Sequence, residues 1–199
     1  MRATCTANWG FRAARLPSGG AIVVYRDRSP EEIRNISYVR LIDGRWSEPE
    51  HIAADNWKIA GCPVNGPAVS TSGERVAVSW YTAPEGEAQV KVALSGDQGA
   101  HFGEPIRLDD GDPLGRVDVK FWDEETALVS WVEQESDTIA AIRLKLINMA
   151  GETLLEERVA DIDPSRSSGF PRMAIQDGTG YLAWTKTGEK PSLKMMLIR

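Results

Sequence analysis

The sequence predicts an all-β protein, a β-propeller of four-stranded antiparallel blades, and three observations carry that prediction. The first is a repeat. AIVVYRD (21–27), VAVSWYT (76–82), TALVSWVE (126–133) and GYLAWTK (180–186) are short apolar or β-branched runs ending at an aromatic. Those aromatics, Tyr25, Trp80, Trp131 and Trp184, stand 55, 51 and 53 residues apart. A period of this length, sustained over three intervals, marks an array of similar supersecondary units. The second observation is that each unit alternates in period two, as half-buried strands do. The third is turn chemistry between the runs, with Ser-Gly, Asp-Glu and Asp-Gly at the hairpin positions.

Each unit reads in the same order. The first strands are FRAARLPSGG, PAVSTSGE, VDVKFWDEE and PRMAIQDGTG, each running into a turn. The aromatic runs are the second strands. NISYVRLI, QVKVALS, IAAIRLKLI and SLKMMLI are the third, and EPEHIA, EPIRLD and LEERVA close the first three units. The fourth unit has no closing run before Arg199. The expected blades are 9–53, 62–109, 116–161 and 169–199, within one domain. EEIRN and LLEERVA are too short for helices and fall within the strand rhythm.

Composition narrows the partners. The formal net charge is −6, with no basic cluster, which argues against nucleic acid. No apolar run is long enough to span a membrane, and MRATCTANWG lacks the basic and apolar regions of a secretory signal. Cys5 and Cys62 sit at similar places in adjacent units and could approach each other as a disulfide or soft-metal pair. Two small buried thiols are the expectation. His51 and His101 show no metal-ligand spacing, so neither a metal nor a cofactor is expected.

The third strand of the second unit runs into SGDQGAHF, of the form S-x-D-x-G-x-x-F. Ser95 ends the strand, Asp97 can accept backbone N–H groups of its own turn, Gly99 takes a positive φ, and Phe102 anchors the hairpin. LIDGRW (41–46) and INMAGETL (147–154) are degenerate copies. This segment resembles the Asp-box, or BNR repeat, of sialidase-type (neuraminidase-type) propellers. YRDRSPEEIRNISYVRL, AGCPVNGPAV, DDGDPLGRVDVKF and SGFPRMAI are similar to bacterial exo-sialidase-like proteins, so the resemblance covers essentially the whole chain. It implies a six-bladed ring of which about four blades are present, the N-terminal ones lacking, and an extracellular or periplasmic location. An open arc would expose sheet faces and edges and favour self-association.

Antiparallel alternation locates the faces. The starts of first strands and ends of second strands share one side, the channel mouth, and SGDQGAHF lies on the other. Arg12, Asn65, Arg116, Asp118 and Arg172 enter first strands, and Arg26, Asp27, Arg28 and Glu133 leave second strands. Arg12, Arg116 and Arg172 lie at matching distances before their hairpin turns. Three arginines converging on one mouth suit a carboxylate held by bidentate guanidinium pairs. The alternative is that each pairs with a neighbouring acid, as Arg116 with Asp118 or Asp112. The resemblance makes the ligand an acidic sugar, with Arg12, Arg26, Arg116, Asp118 and Arg172 in the binding set. Sialidases use a tyrosine nucleophile with a glutamate and a separate acid/base. Asp27 is the acid/base candidate by position, whereas Tyr25 and Tyr81 read as packing residues. No Arg-Ile-Pro segment and no Tyr–Glu pair is found by motif, so the catalytic set is incomplete. The expected function is a glycan-recognising propeller with sialidase-type hydrolysis, or else a noncatalytic binding or assembly module.

Overall fold

The computed structural model describes residues 10–199. The first sheet holds β1 (Arg12–Arg15), β2 (Ala21–Arg26), β3 (Ile33–Ile42), β4 (Arg45–Trp46) and β5 (Glu50–Lys58). The second holds β6 (Ala68–Ser72), β7 (Arg75–Thr82), β8 (Gln89–Ser95) and β9 (Ile106–Arg107). The third holds β10 (Asp112–Phe121), β11 (Thr126–Gln134), β12 (Ala140–Asn148) and β13 (Thr153–Ile162). The fourth holds β14 (Arg172–Gln176), β15 (Thr179–Lys186) and β16 (Ser192–Ile198). All pairs are antiparallel and follow chain order, except that β5 pairs with β3. These are the blades of the propeller, three with an outer strand and one with three strands.

The strand bounds depart from expectation in two places. The closing strand of the first blade is split, because β4 pairs with β3 at Leu41 and Ile42 while β5 pairs with it from Ile33 to Tyr38. Pro49, which has no N–H to give a ladder, lies in the break. The third blade begins at Asp112 rather than at Arg116. Its first strand carries register shifts between Pro113 and Asp118, where Gly115 and Arg116 both have positive φ, +78° and +56°. Such a bulge re-aims the side chains around it.

The blades stack face to face. One core joins Leu16, Ile22, Val24 and Ile36 of the first to Val69, Val76, Val78 and Trp80 of the second. The next joins Val90, Val92 and Leu94 to Val119, Val129 and Trp131. The last joins Leu128, Ile142 and Leu144 to Met173, Leu182 and Trp184. Thus the repeat aromatic of each later blade is the plug against the blade before it. Trp80 and Trp131 are fully buried, and each such side chain contributes about 3 kcal/mol on leaving water. The first strands lie side by side, β1 with β6, β6 with β10 and β10 with β14. Thr71 Oγ1 donates to Arg15 O at 3.0 Å, and Phe121 N–H to Ser70 Oγ at 3.1 Å, tying them together. The outer face of the fourth blade is open, with Leu193 75% and Met195 65% exposed.

SGDQGAHF forms a self-contained turn. Ser95 Oγ accepts the Gly99 N–H (3.0 Å) and donates to Asp97 Oδ1 (2.8 Å), which also accepts the His101 N–H (2.9 Å). Gly99 has φ +75°, and a Cβ there would lie 2.8 Å from Ile22 Cδ1 of the preceding blade. Phe102 meets Tyr38 edge to face at 5.2 Å, so it anchors two blades rather than one hairpin. The Gln98 N–H donates to Glu74 O in the β6–β7 turn, which puts this segment at the end of the molecule away from the starts of the first strands.

Candidate functional site

Sheet register defines which residues share the mouth. Arg12 pairs with Val24, Ala68 with Ser79, Asp118 with Ser130 and Arg172 with Ala183. Each of these partners immediately precedes the repeat aromatic. Arg12, Ala68, Asp118 and Arg172 are therefore the equivalent positions of the four innermost strands. The match of Arg116 to Arg12 and Arg172 by counting residues fails at this level, because the Gly115–Arg116 bulge shifts the register and gives the place to Asp118.

Arg12 and Arg172 have what a carboxylate clamp requires. Neither forms an ion pair with any acid among the described residues. Arg12 donates from Nη1 to Phe11 O at 3.0 Å, and the Arg172 guanidinium lies 5.8 Å from the centre of the Phe170 ring. Gly10-Phe11-Arg12 and Gly169-Phe170-Pro171-Arg172 each set an exposed aromatic shortly before the arginine, which meets the backbone carbonyl in the first and the ring in the second. Partial burial lowers the Arg12 pKa, the charge of Arg172 lowers it further, and that of Asp118 opposes both. The two arginines and Asp118 accordingly share one electrostatic neighbourhood, although they come from three blades. Asp118 is buried and held, with Oδ2 accepting the Met173 N–H (2.9 Å) and Oδ1 facing Lys120 Nζ (3.1 Å).

The other candidates are occupied elsewhere. Arg116 is buried, and Nη2 donates to Pro164 O (2.6 Å) and Ser165 O (2.9 Å) while Nη1 donates to Ser168 Oγ (2.5 Å). It ties the third blade to the loop leading into the fourth, and it has no pairing with Asp118 or Asp112. Arg26 is buried against Trp57, 5.0 Å from the ring centre, and donates to Asn65 O (3.2 Å) and Tyr81 O. Burial pulls its pKa down to about 10 against the opposing charges of Asp55 and Asp27. Both arginines are blade staples. Asn65 is a third, accepting the Arg116 N–H (3.0 Å) and donating to Leu114 O (2.9 Å).

Asp27 faces outward along its own sheet. Oδ1 accepts the Asn35 N–H at 2.9 Å and Oδ2 the Ser37 hydroxyl at 2.7 Å, with His51 Nδ1 at 3.3 Å. Its contacts are with the third and fourth strands of the blade, not with Arg12 or Arg172. Burial and then the charge of Asp27 raise the Tyr25 pKa, which disfavours a tyrosinate. Tyr81, whose pKa is raised first by burial, packs edge to face on Trp57 at 5.6 Å, as a packing residue should. Glu133 is buried and accepts the Trp131 indole N–H at 2.9 Å. Arg28 pairs with Glu32.

Cys62 corrects the buried-thiol expectation, since it is exposed and disulfide-bonded; Cys5 lies outside the described residues. Gly61 O and Ile59 O, just before it, accept bonds from Arg34 Nη2 at 3.2 and 3.3 Å. Among the described residues no group of three or more His, Cys, Asp or Glu is placed to hold a metal ion. Among the described residues no helix is long and apolar enough to cross a membrane.

No family model and no curated protein sequence matches the chain. Solved structures do. A Hadza microbial sialidase, Hz136, aligns at 17% identity over 94% of this chain and 44% of its own, with a TM-score of 0.61. A protein of unknown function from Dyadobacter fermentans aligns at 14% identity over 95% of this chain and 66% of its own, with a TM-score of 0.60. The K499G mutant of NanB sialidase from Streptococcus pneumoniae aligns at 11% identity, TM-score 0.57, over 89% of this chain and 27% of its own. The GH62 α-L-arabinofuranosidase catalytic domain of Coprinopsis cinerea gives 12% identity, TM-score 0.54, with 99% and 67% covered. This chain therefore spans between about a quarter and under half of the two sialidase chains. What it shares with these glycosidase structures is the fold, a stack of antiparallel blades ranged in sequence order.

Proposed function

We propose that this chain is a glycan-recognising part of a sialidase-like propeller, and that it holds the carboxylate of an acidic sugar between Arg12 and Arg172. The observation that carries the reading is the pair itself. Two guanidinium groups at register-equivalent positions of different blades share a field, and neither has a carboxylate partner among the described residues. A planar guanidinium offers a carboxylate two parallel donors, and Phe11 and Phe170 offer apolar faces to a sugar ring. The likeness to sialidase and arabinofuranosidase structures supports a glycan as the ligand class.

Binding without hydrolysis is the second reading. It is favoured by Asp27, whose two oxygens are taken by Asn35 and Ser37 of the next strand, and by Arg26 and Arg116, which staple blades. Titration with N-acetylneuraminic acid and with its methyl ester tests the clamp. The acid should bind and the ester should not, and Arg12→Ala or Arg172→Ala should each weaken binding about tenfold or more. Equal binding of acid and ester, or unchanged affinity in both variants, refutes the assignment. Turnover of a fluorogenic sialoside by the same protein decides between the hydrolytic and the binding readings.

A further inference from the structure

The cross-strand partner of the repeat aromatic is a cation in the last three blades: Lys91 opposite Trp80, Arg143 opposite Trp131 and Lys194 opposite Trp184. At the second blade a carboxylate from the outer strand of the first, Asp55 of β5, completes the group. Asp55 Oδ2 accepts the Trp80 indole N–H at 2.6 Å, and Oδ1 faces Lys91 Nζ at 2.6 Å, with the Asp55 side chain 1% exposed. In the third blade Glu133 plays that part, accepting the Trp131 N–H at 2.9 Å and facing Arg143 at 3.6 Å.

At the fourth blade the indole and the cation have no carboxylate bonded to them among the described residues. Among the described residues nothing accepts the Trp184 N–H, and neither Lys194 nor the adjacent Lys186 forms an ion pair. Instead a cleft of about 440 Å³ opens there between the third and fourth blades, walled by Trp184, Ile139, Ile162, Thr138, Lys186 and Lys194. Its two acids are turned to other partners. Asp161 pairs with Arg158 (2.6 Å), while Asp163 accepts the Ser165 N–H (2.7 Å) and the Thr187 hydroxyl (2.9 Å).

We infer that this cleft is a binding site for a small carboxylate with a ring body, of the uronic acid class, whose carboxylate takes the place that Asp55 and Glu133 fill in the earlier blades. The indole N–H and the Lys194 ammonium supply the donors, as Trp80 and Lys91 do for Asp55. The indole face with Ile139 and Ile162 supplies the apolar wall on which a sugar ring packs. Trp184 lies on the face of the fourth sheet that packs on the third blade, whereas Arg172, opposite Ala183, lies on the other face. The site therefore lies across the fourth sheet from Arg172 and does not rest on the function proposed there.

The indole 1H–15N signal of Trp184, assigned with Trp184→Phe, reads occupancy directly. Sodium D-glucuronate should move it saturably, and D-glucose or sodium chloride at equal ionic strength should not. Lys194→Gln, at an exposed position, should weaken glucuronate about tenfold, while Arg12→Ala and Arg172→Ala leave it unchanged. A still signal, an equal response to sodium chloride, or unaltered affinity in Lys194→Gln overturns the site. Tighter binding of N-acetyl-aspartyl amide than of glucuronate overturns the sugar acid in favour of an acidic peptide.

Discussion

Arg116→Ala separates a binding arginine from a structural one. In the protein its guanidinium donates to the carbonyls of Pro164 and Ser165, to the Ser168 hydroxyl and, at 3.5 Å, to the Asp163 carbonyl, all in the segment that enters the fourth blade. A hydrogen bond from a charged donor contributes about 1.5–3 kcal/mol when its acceptor is shielded. Ser165 is exposed and Ser168 buried, so water recovers part of the loss at one end of the loop. Counting about half the shielded value for each of the three shorter bonds gives a loss of about 2–5 kcal/mol. Alanine keeps the unfavourable positive φ at this position, so backbone relief offsets none of it. Urea unfolding followed by tryptophan fluorescence should show a lower midpoint with an unchanged slope. Below the transition, N-acetylneuraminic acid should bind the variant as it binds the parent. A variant with full stability and lost binding would refute the assignment of Arg116 as a staple and return it to the mouth.

Lys91→Met removes the cation from the buried Asp55 carboxylate and leaves it only the Trp80 N–H. Thermal melting should report a loss of about 3 kcal/mol, largely recovered in Asp55→Asn/Lys91→Met, and an unrecovered double variant would sink the pairing. Asp97 is pushed up by partial burial, but the His101 backbone N–H, the His101 ring and the Ser95 hydroxyl outweigh that and hold its pKa at about 2. Its folded value lies below the ordinary carboxylate one, so its contribution is present above about pH 4 and is lost as pH falls toward 2. Asp97→Asn should flatten the acid limb of stability in that window, and a profile that keeps the parent slope would count against the turn as its source.

The residues of the repeat were readable because their determinants are local. Alternation, turn chemistry and the spacing of Tyr25, Trp80, Trp131 and Trp184 describe each unit of antiparallel strands from within. SGDQGAHF was readable for the same reason, since Ser95, Asp97 and Gly99 satisfy one another within a single turn. The division of the arginines was not. Arg12, Arg116 and Arg172 sit at similar distances before their hairpins, yet only the sheet register assigns Asp118, not Arg116, to the ring of equivalent positions. The bulge at Gly115 and Arg116 depends on Asn65, whose side chain holds the Arg116 N–H from 51 residues away. The staple itself reaches Ser168, 52 residues on.

The sequence by itself determined the architecture: four units, antiparallel strands, an aromatic per unit and a structural turn facing away from the mouth. These follow from backbone preference and hydrophobic period, which a short window of chain contains. The tertiary structure decided which charges are spent and which remain open. A guanidinium buried between blades loses water and must take backbone carbonyls, as Arg26 and Arg116 do, while Arg12, Arg172 and Lys194 meet no carboxylate among the described residues. That outcome depends on how one sheet lies on the next.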